Sequence, residues 1–218
     1  GRGIASYTLA REGFDVTALE PDPSDLVGAG AIRSLAHEAD LPIRVVQDFS
    51  ERLALPDESF DVVFARAVLH HTRNLNAACA EFHRVLKPGG LFLGVREHVI
   101  SRREDLPAFL AAHPMHDLYG GENAFLLDEY LEALRGAGLR VEQVLEPLIS
   151  PINYFPQTEA SLREEIAARA GRIPGLRPAV RALLAPKPLY DAAMRVLARI
   201  DSRPGRLYSF VCSKPGIA

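Results

Sequence analysis

Short apolar runs alternate with helix-period stretches along the first hundred residues, and the alternation predicts an architecture. Residues 4–12 carry a helical pattern that stops at Gly13. Residues 16–19 form a β-type run that ends at Glu20, because Pro21-Asp22-Pro23 forbids its continuation. Ile32, Leu35, Ala36 and Ala39 then recur at helical spacing, and residues 43–46 form a second strand ending at Gln47-Asp48-Phe49. After the turn cluster Pro56-Asp57-Glu58-Ser59 come a strand at 60–64 and a helix whose inner face is Leu75, Ala78, Cys79, Phe82, Val85 and Leu86. The Leu-Lys-Pro-Gly-Gly segment at 86–90 ends that helix as a turn, and residues 91–95 read as a strand covered on both faces.

The pattern changes after Ser101. A helix is expected at 102–112, followed by a loop at 113–123 dense in functional groups. A helix at 128–135 and strands at 139–145 and 207–212 complete the α/β alternation. Between the last two strands lies a helical insert, 150–206, with helices expected at 159–170, 178–184 and 189–200. The expected fold is a doubly wound, Rossmann-like α/β sheet that binds ligands at the carboxyl ends of its strands. The chain is expected to form a single domain over residues 1–218, with 150–206 as insert or lid. Gly1-Arg2-Gly3 runs directly into a helix, although a strand normally feeds such a turn. The opening therefore reads as a fragment cut inside the turn, with the first strand missing.

Bulk composition changes this picture little. The 218 residues are 48% apolar, enough for a buried core, and Cys79 and Cys212 have no partner at metal-ligand spacing. A net charge of −3 argues against general nucleic-acid binding, and no apolar run is long enough for stable membrane insertion, so a cytoplasmic location is expected. The distribution of charge is more informative than its sum: residues 1–157 carry 14 basic and 23 acidic side chains, whereas 158–206 carry 10 and 5. A basic insert suits an anionic acceptor, or is a solvated helical surface.

Four features point to one binding crevice. Gly1-x-Gly3 lets backbone amides approach a ligand above a helix N-terminus. Glu20, at the end of its strand, can accept both hydroxyls of a ribose. Asp48 can pair with an adenine amine while Phe49 walls the ring, and the Ala65-Arg66-Ala67 corner closes the far side. Each has a plainer reading: a common turn, a solvated turn carboxylate, a local turn cap, and a core phenylalanine.

The order Gly-Arg-Gly, Ala-Leu-Glu, Val-Gln-Asp-Phe, Phe-Asp-Val-Val-Phe-Ala-Arg-Ala-Val-Leu-His-His and Arg-Val-Leu-Lys-Pro-Gly-Gly-Leu resembles the class I S-adenosylmethionine-dependent methyltransferases, of the type 11-like kind. The resemblance covers residues 1 to about 100, and 125–147 in outline. It implies a seven-stranded sheet in the order 3-2-1-4-5-7-6 with the last strand antiparallel, its strand 1 being the one absent from this chain. It also implies that Gly1 and Gly3 approach the methionine part of the cofactor S-adenosylmethionine, Glu20 binds the ribose, and Asp48 with Phe49 holds the adenine. Ala65 and Arg66 would line the methionine side, with His70 and His71 beginning the substrate rim.

The implied reaction is methyl transfer to oxygen or nitrogen of a small-molecule acceptor. A hydroxyl or amine acceptor needs a base, and His116, His71 and Glu97 are the first candidates, with His70, His98, His113 and Asp117 nearby. His70 and His71 have the plainer reading of opening a helix. The 119–123 segment is the expected acceptor-recognition loop. His113-x-x-His116 offers two imidazoles, but Pro114 breaks the spacing that would align them, so no metal is expected. The alternatives are a catalytically inactive binding protein of the same fold and a nicotinamide-dependent oxidoreductase. Oligomeric state is left open.

Overall fold

The computed structural model describes residues 1–113, 116 and 121–216. Asp117, Tyr119 and Gly120 of the expected acceptor loop lie outside the described residues. The chain divides into two compact units, Gly1–Pro56 and Asp57–Ala218.

The first unit contains α1 (Ile4–Arg11), β1 (Thr17–Leu19), α2 (Ala29–Glu38) and β2 (Arg44–Val46). β1 and β2 pair in parallel, with Thr17 opposite Arg44 and Leu19 opposite Val46. Val16, Ala18, Ala29, Ile32, Ala36 and Leu53 form its buried apolar set, the members on α2 lying three to four residues apart. Gly3 begins α1 at φ 77°, and a Cβ there would stand 3.0 Å from Cγ1 of Ile32. A side chain at this position would have to push α2 aside and adopt a strained backbone.

The second unit is built on a five-stranded mixed sheet. Its elements are β3 (Phe60–Arg66), α3 (Leu75–Val85), β4 (Leu86–Ile100), α4 (Leu106–Ala112), β5 (Phe125–Leu126), α5 (Leu127–Gly136) and β6 (Arg140–Leu145). Then follow α6 (Pro151–Tyr154), α7 (Glu159–Ala170), α8 (Leu176–Leu184), α9 (Lys187–Ile200) and β7 (Arg206–Ser213). The strand order is β3-β4-β7-β6, with β5 pairing the end of β4. β7 runs antiparallel to both β4 and β6.

α3 owes its position to a stripe of Leu75, Ala78, Cys79, Phe82 and Val85, all buried, and its start to the Asn74 side chain, which accepts from Ala77 N. Phe82 stacks on Phe92 of β4 with ring centroids 5.3 Å apart, and Tyr130 of α5 meets Phe210 of β7 at 5.4 Å. Cys79 and Cys212 are fully buried, and burial pushes each thiol up to about 12. Both should therefore be inert to a thiol reagent at pH 8 in the folded protein and react only on unfolding. Rapid labelling of the native protein would contradict this packing.

Two irregularities in β4 matter. The Leu86-Lys87-Pro88-Gly89-Gly90 segment, expected as a turn between elements, lies within the strand. Phe60 pairs with Leu86 but Val62 with Leu91, so β4 advances five residues against two and bulges outward. Gly89 takes φ 80° there, and Lys87 Nζ reaches both oxygens of Asp61 at 2.8 and 2.9 Å. A second bulge lies between the Gly94–Phe210 and Glu97–Tyr208 pairs, centred on Arg96 at φ 62°. It reverses the inward phase of the strand, from Phe92 and Gly94 before it to Glu97 and Val99 after it.

The Arg96 bulge is pinned by polar contacts. Arg96 N donates to Ser209 Oγ at 3.0 Å, and its guanidinium donates to the carbonyls of Ile152 and Phe155, both at 2.8 Å. Ser209 Oγ in turn reaches Asn153 Oδ1 at 2.5 Å, and Asn153 Nδ2 donates to Leu145 O at 2.7 Å. Between β6 and β7, the helical segment satisfies each of its acidic residues with basic neighbours: Glu159, Glu164, Glu165, Asp191 and Asp201 all form ion pairs inside it. No helix among the described residues is long and apolar enough to cross a membrane.

Candidate active site

In the first unit, the pairing of β1 with β2 brings the expected adenosyl-binding residues to one edge. Glu20 follows β1 directly, its N–H donating to Val46 O at 3.0 Å, and Asp48 lies two residues beyond β2. Both carboxylates thus stand at the carboxyl ends of adjacent parallel strands, where open α/β sheets bind ligands. The Glu20 carboxylate contacts the Gly1 amine, so the Gly-x-Gly turn and the strand-end acid are neighbours. Its Oε1 also accepts from Asp22 N at 3.1 Å. Open space lies beside the Cα of Gly1, where no heavy atom comes within 4 Å of a built Cβ.

Asp48 also performs the local duty of a turn residue. Its Oδ1 accepts from Phe49 N at 2.9 Å and its Oδ2 from Ala54 N at 3.0 Å. A carboxylate has about four lone-pair directions, so these bonds leave acceptor capacity. Phe49 is 57% exposed and so does not serve as a core residue.

In the second unit, β3 ends with Ala65, which is buried, and Arg66, which is exposed. The chain then turns through Ala67 at φ 54°, whose N–H donates to Val95 O at 2.8 Å. A single 3-10 turn, Leu69–His71, follows and presents two adjacent imidazoles. Glu97 lies beneath them because the Arg96 bulge turns it inward. Its oxygens accept from Val68 N at 3.0 Å and His70 N at 3.1 Å, and Oε2 lies 2.7 Å from His70 Nδ1. Glu97 is 0% exposed. It is therefore closed off from solvent and holds His70 by its ring and its backbone.

His70 is the centre of a cluster drawn from four separate stretches of chain. His71 and His98 lie 4.3 and 4.6 Å from its ring, and His113 lies 5.1 Å from His98. Glu122 approaches from the segment before β5: its Oε2 is 3.6 Å from His70 Nε2 and 3.9 Å from His71 Nε2, and its Oε1 is 4.0 Å from His113 Nδ1. Burial dominates the protonation of His71 and His98. It lowers His71, reinforced by the neighbouring His70, and pushes His98 down to about 4 against the opposing bond to Gly205 O. His98 and His113, with Phe109, Ala112 and Gly205, border a cavity of about 380 Å³.

Among the candidate bases, His71 is partly exposed and in the cluster, whereas Glu97 is enclosed behind His70. His116 is half-buried, and its Nδ1 has no hydrogen-bond partner among the described residues. The importance of His70 and Glu122 is not visible in the spacing of either residue. The local signal, His113-x-x-His116, is not the one the cluster uses; His113 meets His98, fifteen residues upstream on β4.

A methyltransferase domain family matches residues 1–94. The ubiquinone biosynthesis O-methyltransferase of Paramagnetospirillum magneticum is 29% identical over 157 residues, covering 70% of this chain and 61% of that protein, so the chain spans about three fifths of that relative's length. A solved geranyl diphosphate methyltransferase, in complex with GPP and sinefungin, superposes with a TM-score of 0.64 at 15% identity over 98% of this chain and 68% of its own. The [4+2]-cyclase SpnF gives 0.62 at 24% identity over 100% and 72%. These structures share the methyltransferase-like α/β fold with its mixed sheet. The likeness to the methyltransferase domain family thus lies in residues 1–94, fewer than half of the 218 residues of this chain.

Proposed function

We propose that this protein transfers a methyl group from S-adenosylmethionine to an oxygen or nitrogen of a small, anionic acceptor. The observation that carries the reading is the placement of Glu20 and Asp48 at adjoining strand ends, beside the Gly1-x-Gly3 turn. Glu20 accepts the ribose hydroxyls, Asp48 the adenine amine, and exposed Phe49 offers its ring as the wall. Gly1, with open space beside its Cα, and Gly3, whose left-handed turn starts α1, bring the backbone to the methionine part. Ala65 and Arg66, ending β3, take the ligand-binding position of an open α/β sheet. Strand orders support the assignment: β2-β1 and β3-β4-β7-β6 correspond to 3-2 and 4-5-7-6 of the class I sheet.

When bound, the cofactor supplies an electrophilic methyl group on a sulfonium. The chain's residues then have to align the acceptor and exclude water. An attacking hydroxyl or amine gives its proton to an imidazole, first His116 and second His71, while Glu97 acts through His70. The basic 150–206 segment serves as a lid whose surplus positive charge favours an anionic acceptor.

Calorimetric titration of the chain with S-adenosylmethionine, followed by assay for S-adenosylhomocysteine with pools of hydroxyl and amine acceptors, tests the reading. Heat and product are expected. Heat without product from any pool would favour a binding protein of this fold, and absence of heat would remove the cofactor assignment. The cyclase shares the fold, so the assay rather than the architecture decides the reaction.

A further inference from the structure

We propose that His70, His71 and Glu122 form a binding site for one divalent transition-metal ion of the zinc or cobalt type. Their potential ligand atoms all lie within 4.8 Å of one another. Hydrogen bonding fixes which atoms those are. His70 Nδ1 lies 2.7 Å from the Glu97 carboxylate and His71 Nδ1 lies 3.3 Å from the Gly121 carbonyl. Both partners are acceptors, Glu97 receiving two backbone N–H groups besides, so each Nδ1 carries the proton. Each Nε2 is left as a lone pair, and both face Glu122.

The third ligand supplies the independent observation. Glu122 has only 9% of its side chain exposed, and its Oε2 has no hydrogen-bond partner among the described residues. A buried carboxylate oxygen without a donor is costly. Here it confronts two nitrogen lone pairs at 3.6 and 3.9 Å, too far for a hydrogen bond. A tetrahedral ion with bonds of about 2.0–2.1 Å holds its ligands about 3.4 Å apart, so a small contraction would seat one. The Glu97–His70 bond is the carboxylate–histidine contact that orients a metal-bound imidazole.

Two imidazoles and one carboxylate suit zinc, cobalt or iron rather than magnesium or calcium, which take oxygen ligands. Three protein ligands leave a fourth position for water or an acceptor oxygen. The second trio, His98, His113 and Glu122, shares the same carboxylate, but there His113 Nδ1 rather than an oriented Nε2 faces it at 4.0 Å. With His71 as a ligand, the role of base falls to His116. The metal site does not depend on the methyl-transfer reading, because its test reads the ion directly.

The full chain, freed of metal by a chelator, is titrated with Co²⁺, the visible d–d bands reporting coordination, and then with Zn²⁺ in competition. One equivalent of Co²⁺ should bind with bands of a four- or five-coordinate ion, and Zn²⁺ should displace it. Glu122→Gln and His71→Gln should each abolish the bands while circular dichroism stays unchanged. Glu97→Gln, if it folds, should weaken the ion about 10- to 100-fold without removing it. Failure of folded chain to bind either ion at about 100 μM would overturn the site. Binding that survives both Glu122→Gln and His71→Gln, or that is lost in His113→Ala but kept in His71→Gln, would overturn this ligand set. S-adenosylmethionine titration of the same samples shows separately whether the cofactor reading stands.

Discussion

Glu97→Leu should lower the stability of the second unit by about 3–5 kcal/mol, the largest loss expected from any single change in the cluster. Leucine fills much of the volume of glutamate, so little of this comes from a cavity. It comes from stranding three donors: Val68 N, His70 N and the Nδ1 of His70, all served by this one carboxylate. A typical buried donor left without its partner costs about 1–3 kcal/mol. Glu97→Gln should fall between wild type and Glu97→Leu, because the amide keeps one acceptor oxygen but turns an N–H₂ toward a donor. By contrast, Lys87→Ala removes an ion pair whose members are 45% and 80% exposed, and should cost less than about 1 kcal/mol. Urea denaturation followed by far-ultraviolet circular dichroism gives all three values. A loss for Glu97→Leu no larger than that for Lys87→Ala would mean that the buried carboxylate does not hold the 68–71 turn.

That contrast shows where the sequence is informative. The helices and strands of the α/β alternation are legible from their apolar pattern and its breakers: the apolar run at residues 60–64 announces β3, although Val62 and Phe64 stay exposed, and the buried stripe of Leu75, Ala78, Cys79, Phe82 and Val85 announces α3. The strand-end acids are legible for the same reason, since Pro21 and Pro23 mark where β1 must stop. Within β4 the rule fails. Strict alternation puts Phe92 and Glu97 on opposite faces, and only the left-handed Arg96 brings both inward. Nothing local to an Arg-Glu-His sequence specifies a bulge; its supports, Ser209 and Asn153, lie more than fifty residues away. The cluster fails to show for a related reason. His70, His98 and Glu122 become neighbours through the pairing of β3 with β4 and β4 with β5, which residue spacing cannot reveal. Leu86-Lys87-Pro88-Gly89-Gly90 was legible as an interruption but not as a bulge, because both use glycine at positive φ.

Glu20→Ala should weaken S-adenosylmethionine binding by about 100-fold or more while leaving the first unit folded. A carboxylate accepting two ribose hydroxyls makes two charge-assisted bonds of about 1.5–3 kcal/mol each, and each 1.4 kcal/mol is a tenfold change in affinity. The structural cost should be small, because among the described residues the side chain contacts Asp22 N and the Gly1 amine, both near the surface. Asp48→Ala is a less discriminating change. It removes the acceptor for Phe49 N and Ala54 N as well as the proposed adenine contact, so affinity and stability should fall together. Phe49→Ala isolates the ring: the side chain is exposed, and losing a stacking wall should cost about tenfold in affinity with little change in the unfolding midpoint. Calorimetric titration beside thermal melting separates these three patterns. If Glu20→Ala binds the cofactor within threefold of wild type, the carboxylate at the end of β1 does not hold the ribose, and the adenosyl group lies elsewhere.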